Sequence, residues 1–410
     1  MSSTEPTLSG PPSLPEGPAP WPPSLAARKG QPGRARVVGA VIAAAAIVGI
    51  LVGVASHEAS GYFLFSPGTA PLITASQSCQ ASGGELSLPD GSPCVRLLVP
   101  KGTAHPVKGG LYMVDVEVGQ AGALDWLLYQ FGLLGGQHEL VSVQAYAGDT
   151  PASELGCQDT QQMVSADQNA ALAAMSVLGY RVGQNALGAQ IVSVYAGTPA
   201  WRAGLKCNDV VTAVDGKPVR TAGTFTDLLH PLPPGTSVVL TVKAGGHDRK
   251  IQLKLGRATA AALAQGFRGN GYVGVSVQTQ VKPALPFKVS VNAGSIGGPS
   301  AGLAFTLAIL DALSNGRLTG GHRVAATGTI DPSGNVGDVG GVREKTVAVE
   351  EAGAQVFFVP KVEYAAAQSQ ARRGLTVIPV TTLRQVLAIL HDRYGGDLTG
   401  LKGVEAAARA

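Results

Sequence analysis

The sequence predicts a multidomain α+β chain: a single N-terminal transmembrane helix, a β-rich exported region, a compact strand-and-turn unit and a C-terminal α/β domain. Three observations predict this. Residues 37–55 carry no charge, and as a helix they span about 28 Å, close to the hydrocarbon thickness of a bilayer. Residues 58–256 hold short β-prone runs cut by Gly and Pro, the pattern of strands and turns. From 266 to 395, two-residue and 3.6-residue periods alternate, as in a mixed sheet-and-helix domain.

The chain has 410 residues, which at roughly 100–200 residues per domain allows two to four domains. With 45% apolar residues it can bury real cores. Charged residues make up 14% and the net charge is +4, with no Lys/Arg block, so a dedicated nucleic-acid binder is excluded. No G-x-x-x-x-G-K-[ST], H-E-x-x-H or C-x-x-C occurs. The reading therefore includes no cofactor, no metal and no phosphate loop.

Residues 1–36 are rich in Pro, Ser and Gly and are expected to be a disordered cytoplasmic tail. The run at 37–55 follows, with Arg28, Lys29, Arg34 and Arg36 before it. Positive charge stays inside, so the bulk of the chain is expected outside the cytoplasm. A cleaved signal peptide is the other reading, with Gly53-Val54-Ala55 as its cleavage site. The apolar run exceeds the usual 7–15 residues, which favours an uncleaved anchor in the cell membrane. Both readings place 58–410 in an oxidising location, where cysteines pair. Cys79 and Cys94 flank a turn-rich stretch, and closing that loop would stabilise by roughly 3 kcal/mol. Cys157 and Cys207 are a second candidate pair; the alternative for each is a buried thiol.

Residues 58–178 read as a β-rich exported region ending in a helix over 160–178. Residues 180–256 form the compact unit. Its stretches GTPAWRAGL (197–205), NDVVTAVDGKPV (208–219) and VVLTVKAGGHDRKIQLKL (238–255) together resemble a bacterial PDZ domain. The resemblance implies capture of a chain terminus or extended segment by strand addition. It puts the carboxylate-binding loop near Tyr180, Arg181, Val182 and Gly183; an ordinary loop is the alternative.

The chemistry lies in the last domain, 266–395, which a tail at 396–410 follows. In Gly294–Gly302 a serine opens a helix after a glycine-rich turn. Glycines allow close backbone approach, and the unpaired N–H groups of a helix N-terminus can stabilise an oxyanion. Capping alone would also explain Ser300. In Gly340–Thr346, Lys345 falls in the first turn of an expected helix, where the dipole disfavours a cation. Burial lowers a lysine pKa further, and a neutral lysine can take a serine proton. A solvated surface lysine is the plain alternative.

GPSAG (298–302), GGVREK (340–345) and Thr327-Gly328 between them resemble the proteolytic domain of Lon proteases, over about 130 residues. The resemblance implies Ser300 as nucleophile, Lys345 as general base and Thr327 as a hydrogen-bond partner of Lys345. It places the oxyanion hole in the turn holding Gly297, Gly298 and Ala301. Gly297 stands where many members have an aspartate, and no AAA+ module precedes the domain. The layout resembles bacterial membrane-anchored, PDZ-containing Lon-like proteins. It implies an ATP-independent serine endopeptidase acting on exported or unfolded proteins and peptides, with the PDZ-like unit selecting or gating substrates. It also implies a homo-oligomer, a hexameric ring. Two rival readings stand beside it. Gly298-x-Ser300-x-Gly302 is also a nucleophile elbow, for which Asp338 and His391 would complete a Ser-His-Asp hydrolase. A non-catalytic scaffold with a relic protease domain is the other.

Overall fold

The computed structural model describes residues 34–402, apart from 77, 83, 84, 149, 151 and 265. Most of the expected tail 1–36, and residues 403–410 of the expected C-terminal tail, lie outside the described residues. The chain divides into two units, Met1–Gly53 and Val54–Ala410. The first helix, α1 (Arg34–Ala59), starts within the expected tail.

The expected transmembrane helix over 37–55 is corrected by the structure: among the described residues, no helix is long and apolar enough to cross a membrane. Within α1, Ala45, Ala46, Gly49 and Gly53 contribute little apolar surface.

In the second unit the elements that position the site are β1 (Tyr62–Pro67), β2 (Leu72–Thr74), β3 (Cys94–Leu98), β4 (Gly110–Tyr112), β5 (Val116–Gln120), α2 (Ala123–Gln130), β6 (Glu139–Ser142) and α3 (Ala152–Val177). Then come β7 (Gly183–Val194), β8 (Val210–Val214), α4 (Ala222–Leu229), β9 (Ser237–Ala244), β10 (His247–Lys254) and β11 (Val275–Ala284). The chain continues through β12 (Ser290–Asn292), α5 (Gly302–Leu313), β13 (Arg323–Ala326), α6 (Val342–Glu351), β14 (Val356–Pro360), β15 (Thr376–Val380) and α7 (Leu383–Tyr394).

A seven-stranded sheet runs in the order β12-β3-β2-β4-β13-β14-β15. Its β4-β13-β14-β15 half is parallel. The sequence reading gave 58–178 and 266–395 as separate regions on either side of 180–256; this sheet joins them, because Leu111 and Tyr112 pair with Val324 and Ala325. Every residue of β14, Val-Phe-Phe-Val-Pro, is buried, as expected of a parallel strand covered on both faces. Eleven of the twelve residues of α5, Gly302 to Ala312, are buried; a helix apolar all round belongs in a core. It packs between α3 and the sheet, in one core with Val95, Leu111, Ala174, Met175, Val324 and Phe358. A separate sheet, β5-β1-β6, stands beside α6.

Residues 183–284 lie between these two halves of the chain and form their own sheet, β10-β9-β8-β7-β11, with Lys217–Pro218 added on β8. Its core, including Ile191, Val211, Phe225, Leu240 and Val242, is distinct from the first. The ends of this segment meet: Gly183 pairs with Ala284. Multidomain α+β architecture is therefore present, with one body inserted into the other.

Candidate active site

Ser300 sits half-buried in the turn before α5. Gly298, two residues earlier, has φ +88°, a backbone conformation that glycine adopts without steric cost. The carbonyl of Ser300 accepts the N–H of Gly328 at 2.8 Å and the hydroxyl of Thr327 at 3.3 Å. The N–H of Leu303 donates in turn to the carbonyl of Gly328 at 3.0 Å. Thr327 is fully buried, and its own N–H donates to Phe358 of β14. The serine turn is thus tied through Thr327 and Gly328 to the central sheet. The observed bond of the Thr327 hydroxyl goes to the Ser300 carbonyl, and no hydrogen bond between Thr327 and Lys345 is seen among the described residues.

Within the turn, the N–H of Gly298 donates to the carbonyl of Asp159 in α3 at 2.9 Å. A Cβ on Gly297 would lie 2.8 Å from the Cβ of Asp159. The amides of Ser300 and Ala301 have no hydrogen-bond partner among the described residues. These two N–H groups therefore stand free for an oxyanion, while that of Gly298 is committed.

Lys345 lies in the first turn of α6, and only 2% of it is exposed. Its pKa falls from 10.5 to about 8, chiefly because burial penalises the ammonium. Asp115, Glu363 and Glu344 oppose that fall. Asp115 accepts hydrogen bonds from the N–H and hydroxyl of Thr69, and burial raises its carboxyl above the usual range. Glu363 accepts the N–H of Val339 at 3.0 Å, and burial raises it too.

Ser300 and Lys345 line one cleft of about 900 Å³, together with Asp115, Asp159, Gly340 and Ala301. An amine whose pKa is lowered to about 8 and a hydroxyl in one half-enclosed cleft suit proton abstraction and acyl transfer once the amine is neutral. No histidine lines this cleft. Asp338 does, but the Nδ1 of His391 is 2.9 Å from the carbonyl of Gly396, at the C-terminal end of α7. The Ser-His-Asp arrangement is therefore not assembled. Another cavity, of about 530 Å³ beside Tyr129, His138 and Arg343, contains neither Ser300 nor Lys345. Among the described residues no group of acidic, His or Cys side chains could hold a metal.

Sequence reasoning missed Asp115, Asp159 and Glu363. Asp115 left only a weak signal, as one of two carboxylates inside the β-prone run LYMVDVEV. Asp159 left none, since it reaches the site only through packing of α3.

Tyr180–Gly183 forms the junction between α3 and β7. The N–H of Tyr180 caps α3 at Met175, and its ring meets Phe287 edge-on at 5.7 Å. The free strand edge lies elsewhere. β11 pairs with β7 on one side and ends the sheet on the other. Alongside it runs α4, whose Ala222 N–H bonds the Thr279 hydroxyl. Gly274, in the loop before β11, has φ +87°.

Cys79 pairs with Cys94, and Cys157 with Cys207.

Comparison with known proteins matches two successive segments of the chain. Residues 273–392 match the family model of the Lon protease (S16) C-terminal proteolytic domain, and residues 176–255 match that of the PDZ domain. Lon protease of Malacoplasma penetrans is 38% identical over 134 residues, 32% of this chain and 16% of that protein. Lon protease of Chloroflexus aggregans is 36% identical over 98 residues, 23% of this chain and 12% of that protein. The chain thus matches a small part of these relatives' length. Among solved structures, the PDZ domain of an SdrC-like protein from Listeria monocytogenes is 23% identical. The match covers 22% of this chain and 87% of that one, with a TM-score of 0.19. The chain therefore contains a PDZ segment and a Lon-type proteolytic segment.

Proposed function

We propose that this chain is a serine endopeptidase in which Ser300 is the nucleophile and Lys345 the general base. One observation carries the reading: Lys345, buried and with its pKa lowered to about 8, lines the same cleft as Ser300. The neutral amine of Lys345 takes the Ser300 hydroxyl proton as Oγ attacks a peptide carbonyl carbon. The oxyanion forms against the amides of Ser300 and Ala301. As the C–N bond breaks, the Lys345 ammonium returns the proton to the leaving amine, leaving an ester on Ser300. Lys345 then deprotonates a water, which hydrolyses the ester. Thr327 holds the Ser300 carbonyl.

The reaction as read consumes no nucleotide. The inserted body, which holds the PDZ segment, selects or gates protein substrates by adding an extended segment to the free edge of β11. Two disulfides support a working location outside the reducing cytoplasm.

The test incubates the protein with an unfolded polypeptide, without nucleotide, beside Ser300→Ala and Lys345→Ala. Cleavage by the wild type, lowered by about 10²–10⁴-fold or more in both variants, is expected. Cleavage surviving in Ser300→Ala would refute the assignment. A folded, inactive wild type would return the scaffold reading.

A further inference from the structure

The first turns of α3 touch both bodies of the chain within a few residues. On the PDZ side, Cys157 is bonded to Cys207. Gln161, one helical turn further on and 3% exposed, donates to the carbonyl of Ile191 in β7 at 2.9 Å and to Asn208 Oδ1 at 2.8 Å. Ser193 of β7 is 3.4 Å from Gln158 Oε1. The loop carrying Cys207 is itself fixed. Asp209 accepts the N–H of Lys206 at 3.0 Å and is paired with Arg249 at 2.7 Å.

On the other side, Asp159 lies between Cys157 and Gln161. Its carbonyl holds the N–H of Gly298 at 2.9 Å, two residues before Ser300. The space is closed there, because Gly297 has no room for a Cβ beside Asp159. Cys157 and Asp159 are about 3 Å apart along the helix axis and about 200° apart around it, so a single turn of α3 links the disulfide on one side to the serine turn on the other. This end of α3 needs holding. Its first N–H groups lack intrahelical partners, and Gly156 costs a helix about 1 kcal/mol relative to Ala.

We propose that the Cys157–Cys207 disulfide is a positioning element for Ser300: by fixing the start of α3 against the PDZ body, it sets the Asp159 carbonyl that holds the nucleophile turn. The inference rests on the reading of Ser300 as nucleophile. It makes peptidase turnover depend on a bond between the two bodies, outside the cleft.

The test compares the oxidised full chain with Cys157→Ser/Cys207→Ser, at temperatures where circular dichroism shows both folded. Peptide cleavage kinetics and the rate of Ser300 labelling by a fluorophosphonate are measured. Misplacing a nucleophile by a fraction of an ångström to 1 Å lowers turnover by up to about 100-fold. The expected result is kcat and labelling rate down by about 10- to 100-fold with KM unchanged. Unchanged kcat and labelling in the folded variant overturn the proposal.

Gly297→Ala, with the disulfide intact, approaches the same contact from the other side and serves if the cysteine variant does not fold. It should lower kcat similarly, and combining it with the cysteine changes should add little. Wild-type kcat in Gly297→Ala, or full additivity in the combined variant, also overturns the proposal. Ser300→Ala separates the two levels: activity or labelling that survives in it defeats the protease reading itself, whereas activity lost there but unaffected by the disulfide defeats only this inference.

Discussion

Lys345 gives the site its pH dependence. The amine must be neutral to accept the serine proton, and its pKa is lowered to about 8, by burial first and against the pull of Asp115. The acid limb of kcat/KM is therefore expected near pH 8, with activity rising as pH increases through it. Asp115→Asn removes a negative charge that favours the ammonium, so the limb should move to lower pH. A limb that stays in place or moves up would separate Asp115 from the base. Stability follows the same sign. The folded pKa lies below the unfolded value of 10.5. Between pH 8 and 10.5 the unfolded chain binds more protons, and stability rises with pH across that window. The serine and lysine were legible in the sequence because short glycine-rich motifs announce both. Asp115 was not assignable, because nothing local shows that a strand near residue 112 pairs with one near 324.

At the scale of the element, the start of α6 decides where Lys345 points. Gly341 is the N-cap of that helix at φ +66°, and a Cβ there would lie 2.6 Å from Val116 Cγ1 at the start of β5. Gly341→Ala meets both a left-handed backbone, at about 1–2 kcal/mol, and a contact that must give, at about 1–3 kcal/mol. It should lower the melting temperature and, by shifting α6 away from Asp115, lower kcat as well. Gly340 next to it has nothing within 4 Å of its Cβ position, so Gly340→Ala should leave the stability within about 0.5 kcal/mol of the wild type and the melting temperature close to it. Equal melting temperatures for the two variants would show that the cap is not constrained. The helices expected around Ser300–Ser314 and Val342–Ala352 are present as α5 (Gly302–Leu313) and α6 (Val342–Glu351). The membrane expectation is overturned because, among the described residues, no helix is long and apolar enough to cross a membrane; Ala and Gly make up much of α1.

Among the described residues, two of the three buried apolar clusters share no residue and belong to different bodies. One draws on both halves of the chain, from Ile73 and Leu111 to Phe358 and Leu390, and the other lies wholly between Ala189 and Val273. The sequence showed the second as a unit, because its strands follow one another and pair locally. It could not show that 58–178 and 285–402 are one body, because their sheet closes across the inserted segment. The insertion begins and ends at paired residues, Gly183 and Ala284, and so draws little on the cooperativity of its host. Two thermal transitions are expected rather than one. Leu240→Ala empties a fully buried position in the inserted core, at about 2–5 kcal/mol. It should lower one transition by on the order of 10 °C or more and leave the other in place. Phe305→Ala, in the host core, should do the reverse and should lower peptidase activity at temperatures where the inserted body is still folded. A single transition that moves with either substitution would mean that α3 and its disulfide bind the two cores into one cooperative unit.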